Sequence, residues 1–160
     1  MGYTIDAYVT MYPTEALMWM DTPESSCDGP STSTSQLPTK EVTVARIAVL
    51  YCKKIKDHSC IACAKCYKGM AEKNGEYARH DTIDLVAMTD CGDCPGLTVP
   101  RVKLLSEMTK GLDRPIEVLH LGTCMKLAME TAQCPIDFED LKPTLESKFG
   151  IQVVLGTHSY

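Results

Sequence analysis

Cysteine is the residue type most able to do chemistry in this sequence. Nine of the 160 residues are Cys, and five of them fall in two short motifs, Cys60-Ile-Ala-Cys63-Ala-Lys-Cys66 and Cys91-Gly-Asp-Cys94. Two thiols at that spacing can grip one metal ion, ligate an iron–sulfur cluster, or oxidise to a reactive disulfide. The triple motif has the spacing that holds three corners of a [4Fe–4S] cluster in small ferredoxins, where a further Cys is followed by Pro. Cys94-Pro95 and Cys134-Pro135 each offer that fourth ligand. Residues three apart drift around the axis of a regular helix, so this segment needs an irregular start if its thiols are to face one centre. A zinc site using some of these thiols is the alternative. The pair Cys91 and Cys94 follows an apolar run, with Pro95 close to where a helix should begin. The free N–H groups of a helix start stabilise thiolates, which suits ligation and thiol–disulfide exchange equally.

These motifs need elements to position them. Residues 44–51 (VARIAVLY) form a short, nearly continuous apolar run, as expected of a strand buried on both faces. Similar runs at 83–89, 116–122 and 151–158 predict three more strands. Between them, 60–75 reads as a helix ending near Asn74-Gly75, and 98–112 as a helix facing inward with Val102, Leu105, Met108 and Leu112. A short helical piece is expected at 125–133. In 137–150 the residues Phe138, Leu141, Leu145 and Phe149 make one stripe, with Asp137 to cap and Gly150 to stop the helix. Pro143 should bend that helix or move its start.

Strands alternating with helices predict an α/β protein, a parallel-sheet sandwich of flavodoxin-like or related type with about four to five strands. The fifth would come from the N-terminal extension. In a parallel sheet all strand C-termini lie along one edge, the usual place for a ligand. Cys52 follows the first strand, Cys91 and Cys94 the second, Cys124 the third and His158 the fourth. Cys60, Cys63 and Cys66 in the first crossover and Cys134 in the third can approach the same rim. The candidate metal ligands are therefore Cys52, Cys60, Cys63, Cys66, Cys91, Cys94, Cys124, Cys134 and His158. His120, inside the third strand, reads as a hydrogen-bonded core histidine, and His58 and His80 as solvated surface residues. Lys53–Lys56 (KKIK) reads as a solvated basic turn, although it could also offset the charge of a thiolate site.

Composition narrows the setting. The first positive charge is Lys40 and residues 1–39 carry five acids with no Lys or Arg, so all of the net charge of −5 belongs to them. Residues 1–43, with the Ser/Thr/Pro-rich stretch 27–38, read as an arm and linker in which Cys27 is a bystander. Residues 44–160 read as the domain. The arm has no basic region of the kind that opens a secretory signal, and no apolar run approaches the ~20 residues of a membrane span. A cytoplasmic protein with reduced thiols is expected, which favours metal or redox chemistry over structural disulfides. No one-signed basic face appears, so nucleic acid is not an expected partner.

The segments IAVLYC, CGDCPG, HLGTC, a later Cys-Pro and a terminal Gly-Thr-His together resemble the CGGC-domain family. That resemblance spans about residues 44–160 and implies metal binding through cysteines and histidines, without naming a reaction. Carried over residue by residue, it falls on Cys52, Cys60, Cys66, Cys91, Cys94, His120, Cys124, Cys134 and His158. Asp93 stands where the second glycine of the namesake motif belongs, and Cys63 is additional. The preferred reading is a carrier of an iron–sulfur cluster, or of zinc, for electron transfer or metal carrying. The arm would contact a redox partner or a larger complex. The alternative is an enzyme, a thiol–disulfide oxidoreductase using Cys91 and Cys94.

Overall fold

The computed structural model describes residues 42–159. The expectations for the arm, its linker, Cys27 and a fifth strand lie outside them. Four strands form one sheet: β1 (Val44–Tyr51), β2 (Thr82–Asp90), β3 (Val118–Leu121) and β4 (Gln152–Leu155). Their order is β2-β1-β3-β4 and every pairing is parallel. This is the α/β sandwich expected, and its order matches the first four strands of the flavodoxin-like arrangement. The strands finish level, because Tyr51 pairs with Asp90, Leu50 with Leu121, and Leu121 with Leu155.

The helices are α1 (Lys53–His58), α2 (Ala64–Glu72), α3 (Thr98–Gly111), α4 (Thr123–Thr131) and α5 (Phe138–Phe149). Ala48, Leu50, Leu119, Leu121 and Val153 point into the larger core, beneath Val102 of α3, Met125 and Ala128 of α4, and Phe138 and Leu145 of α5. Ile47, Val49, Val118 and Val154 point to the other face, where Tyr77 and Met70 cover them. Alternate residues of β1 thus fill two cores, which is why its sequence lacks a polar face. No helix among the described residues is long and apolar enough to cross a membrane.

Two helices depart from the sequence reading. The buried residues of α3 are Thr98, Val102, Ser106 and Thr109, while Met108 and Leu112 are exposed. Small hydroxyl residues let the helix lie close to the sheet, and Thr109 satisfies its buried hydroxyl on the Ser106 carbonyl at 3.2 Å. Of the expected stripe, Val102 and Leu105 reach the core, whereas Met108 and Leu112 do not. In α5 the cap is as expected, Asp137 accepting from the Glu139 N–H at 2.8 Å and Gly150 closing the end at φ 64°. The helix nevertheless runs through Pro143 and does not start after it.

Candidate metal centre

Chain order and sheet order together create a crevice. The chain passes from β1 to β2 on one side, then returns past β1 to β3, so β1 and β3 lead away in opposite directions. Such a switch point opens a gap at the strand C-termini. Here the gap is flanked by Cys52, the residue before α1, and Cys124, in the first turn of α4. The Cys52 backbone N–H donates to Cys124 Sγ at 3.1 Å. The next N–H, that of Lys53, acts on the Cys91 sulfur. The start of α1 thus addresses thiols from two other strand ends.

Gly122 makes the close approach possible. Its N–H donates to the Leu50 carbonyl at 2.7 Å, and a Cβ there would sit 2.7 Å from the Leu50 oxygen and 3.1 Å from Cys124 Sγ. Replacing Gly122 with Ala should therefore cost about 1–2 kcal/mol, because backbone cannot move aside as a flexible side chain can. Denaturant unfolding checks this: a midpoint within error of the parent protein would show that the loop has slack.

The triple-cysteine motif has the irregular start that its spacing demanded. Residues 61–63 form a single 3₁₀ turn, and both Ala62 and Cys63 have φ of 55° before α2 begins. Two consecutive non-glycine residues in the left-handed region cost roughly 1–2 kcal/mol each. The reversal turns all three thiols inward: Cys60, Cys63 and Cys66 are 6%, 5% and 3% exposed. Cys66 Sγ lies 3.6 Å from Thr157 Oγ1. Thr157 in turn holds the Thr123 N–H at 3.2 Å, so the end of β4 is tied to the start of α4.

Cys60, Cys63, Cys66 and Cys124 thus form an inner group. Burial pushes the Cys63 and Cys66 thiols up, and pushes Cys124 up to about 12, each further raised by neighbouring sulfurs. Tyr77 closes this group from below. It is fully buried, and its hydroxyl is the one buried side-chain oxygen or nitrogen among the described residues without a hydrogen-bond partner. Its nearest influences are sulfurs, Cys66 first and then Cys63 and Cys124. The Cys66 contact falls outside normal hydrogen-bond geometry, so the hydroxyl faces the thiols unsatisfied.

A second group lines a cavity of about 340 Å³ beside the first. Cys52, Cys91, Cys94 and Cys134 all contribute to its wall, with Lys54 and Asp93 also lining it. Cys91 is buried and pushed up to about 11, by burial first and then by Cys52 and Cys134. The stabilisation expected from a helix start is outweighed there by desolvation, since α3 begins only at Thr98 and Pro95 lies in the turn before it. Cys94 is exposed. Lys53 pairs with Asp93 at 3.1 Å, which raises the lysine and lowers the carboxyl. The basic stretch is therefore part of helix α1 and not a solvated turn: Lys53 pairs with Asp93, Lys54 lines the cavity and Lys56 lies over the Tyr51 ring.

The histidines divide differently from the sequence reading. His158 is buried beyond β4, its Nδ1 2.9 Å from the Ser159 carbonyl. A nitrogen facing a carbonyl carries the proton, which fixes the Nδ1–H tautomer of His158. His120 is the buried, bonded core histidine expected, with Nδ1 3.0 Å from the Gly156 carbonyl. Its partner at Nε2, 2.9 Å away, is His80 Nε2. His80 is thus buried, not solvated, because the turn at 75–79 folds over the sheet face. His58 is exposed, as expected. Tyr77 has no sequence signal, whereas Thr123 and Thr157 lie inside the HLGTC and Gly-Thr-His segments, where only the neighbouring Cys124 and His158 read as ligands.

The CGGC domain model matches residues 46–158. The chain belongs to the CGGC-domain family. Most of the described domain falls inside that match, including eight cysteines. An uncharacterized protein of Methanocaldococcus jannaschii is 35% identical over 119 residues, covering 71% of this chain and 87% of its own length. No solved structure matches the chain. Family membership marks this as a cysteine-rich domain compatible with metal binding.

As they stand, the donors do not close on a single ion. Among the described residues, no group of three or more His, Cys, Asp or Glu side chains is arranged to hold one. Tetrahedral zinc draws sulfurs to about 3.8 Å from one another, from its ~2.3 Å bonds. The inner group fits a thiophilic guest in its chemistry, with four buried sulfurs and a hydroxyl lacking a partner, but its sulfurs must move inward for a lone ion.

Proposed function

We propose that this CGGC-domain protein carries an iron–sulfur cluster on Cys60, Cys63, Cys66 and Cys124, for electron transfer or metal carrying in the cytoplasm. The carrying observation is the reversal at Ala62 and Cys63, which spends backbone energy to aim three thiols at one place. A cluster holds its ligands further apart than a single ion does, which suits donors that do not close on one ion. Bound there, a cluster would accept or release one electron. Zinc on the same thiols is the second metal to test. The chain's own groups supply the thiols, bury them from water, and offer Tyr77 as a donor to sulfur. Residues 1–43 would supply the contact with a protein partner or complex.

Thiol–disulfide exchange at Cys91 and Cys94 is the competing reading. Exposure of Cys94 favours it, whereas the raised Cys91 thiol is a poor attacking group near neutral pH. Anaerobic purification of the full chain, followed by iron, sulfide and zinc analysis, decides among the three. Iron and sulfide should be present, and Cys66→Ser or Cys124→Ser should remove most of both, because a serine hydroxyl is a harder and less acidic donor. Metal-free protein with undiminished disulfide reductase activity would overturn the reading.

A further inference from the structure

The two edges of the sheet end differently. β4 closes one edge with four residues, short enough to discourage pairing with another chain. β2 closes the other with nine, and among the described residues it pairs only with β1. It contains neither Pro nor Lys, the residues that blunt such an edge. The extra residue at Val86 breaks the β1 register once and leaves a regular run on each side. Its two charges, Asp84 and Asp90, are paired within the chain, with Arg114 and Arg101, so neither is left to repel a second strand. The neighbouring helix leaves apolar surface pointing the same way. On one flank of α3, Lys103, Ser106 and Lys110 share a groove with Lys148 and Phe149 of α5. Leu104, Met108 and Leu112 lie roughly half a turn away, on the opposite flank. They are 57%, 66% and 69% exposed. Arg101, on that same flank, reaches Asp90 of β2 at 3.2 Å, so this stripe overhangs the free edge.

We infer that a second copy of this chain covers that surface, the two joined as a two-fold dimer through the β2 edge and the α3 stripe. Two β2 strands paired antiparallel about an axis normal to the sheet make one continuous sheet. The same rotation keeps both α3 helices on one face and turns their stripes toward each other. The patch thus covers itself, as an isologous interface requires. An unlike partner would have to bring both a strand edge and an apolar helix face at the right offset, and a second copy already has them. On the other face of the sheet, Tyr67 and Met70 of α2 border Ile83 and Leu85 in a groove that continues the same edge. Nine residues at about 3.3 Å make an edge roughly 30 Å long. With a helix layer on each face the contact is about 25 Å high, giving roughly 750 Å² per copy, near the ~800 Å² of a stable interface. Backbone N–H and C=O groups that face water in the monomer then bond across the axis. The dimer does not depend on what the thiols hold.

The test is sedimentation equilibrium of the full chain, kept reduced so that the exposed Cys94 forms no intermolecular disulfide. The parent protein should show twice the chain mass at ~50 μM. Leu104→Glu and Met108→Glu should each raise the dissociation constant at least ~100-fold, because each buries an unpaired charge in the dimer and none in the monomer. Leu155→Glu, on β4 at the far edge, should leave it unchanged. Since Leu104 and Met108 are exposed, a glutamate there does not disturb the core, and far-ultraviolet circular dichroism confirms that the fold is retained. Amide hydrogen exchange gives a second readout at the strand itself. Residues 82–90 should be protected in the parent protein and exchange at least ~10-fold faster in Leu104→Glu, although the substitution lies on the helix. A monomeric parent overturns the dimer and leaves the edge to another occupant. A dimer that survives both glutamate substitutions, or one whose 82–90 amides exchange as fast as in Leu104→Glu, overturns this surface.

Discussion

Replacing Tyr77 with Phe should stabilise the metal-free protein and weaken its hold on metal. The ring contributes to the core shared with Ile47, Val49, Val118 and Val154, and Phe keeps that packing. What changes is one hydroxyl, buried and without a partner among the described residues. An unsatisfied buried hydroxyl costs about 1–3 kcal/mol, so its removal should raise the stability of the metal-free chain by an amount in that range. Once metal has displaced the protons from Cys66 and its neighbours, the sulfurs become better acceptors and the Tyr77 O–H finds its bond. The same substitution then removes a favourable charge-assisted contact worth roughly 1.5–3 kcal/mol. Chemical unfolding of both forms measures the two effects, and chelator competition measures the second alone. A purely structural tyrosine shifts both forms in the same direction. Equal shifts in the presence and absence of metal would remove Tyr77 from the centre.

That sign reversal concerns a residue that sequence reading passed over, and the reason is physical. Strands such as Val44–Tyr51 declare themselves because burial on both faces imposes a local composition that any window of eight residues displays. The rim follows from parallel pairing, so cysteines just after strands could be assigned to one edge without coordinates. The irregular start at Cys60–Cys66 was also legible, since three thiols at that spacing cannot share a regular helical face. The roles of Tyr77, His80 and Thr157 became visible only with the tertiary fold. Tyr77 lies on, and His80 directly follows, a 3₁₀ turn whose sequence, Gly-Glu-Tyr-Ala-Arg, looks like exposed loop. Its burial depends on docking against the end of β4, where the Glu76 N–H bonds to the Thr157 carbonyl at 2.8 Å. Gly75 permits that docking: at φ 62°, a Cβ there would meet the same carbonyl oxygen at 2.6 Å. The exposed stripe of α3 misled for a related reason, because hydrophobic periodicity does not reveal that Ser106 and Thr109 pack closer than Met108 or Leu112 can.

The buried histidine pair predicts an acid-sensitive fold. His120 Nδ1 donates to the Gly156 carbonyl, so its Nε2 is the acceptor and His80 Nε2–H the donor. Both rings are neutral in that arrangement, and protonating His120 destroys its role as acceptor. Burial pulls His120 down to about 4 from an ordinary 6.5, with His80 and Arg79 lowering it further and the Gly156 carbonyl and Glu76 opposing. Burial, then Arg79, lowers His80 as well. A histidine held neutral in the fold but free to protonate when unfolded stabilises the native state above its unfolded value. That stability is lost as pH falls from about 6.5 toward 4, where the unfolded chain binds the extra proton. For His120 alone the loss amounts to about 3 kcal/mol, at about 1.4 kcal/mol per unit. The measurement is urea unfolding of metal-free protein between those pH values, which keeps thiolate protonation out of the result. His120→Gln retains a neutral side chain able to donate and accept, and should flatten the dependence while lowering stability at neutral pH. An equal slope in the parent protein and His120→Gln would place the acid sensitivity elsewhere, in the carboxylates and not in this pair.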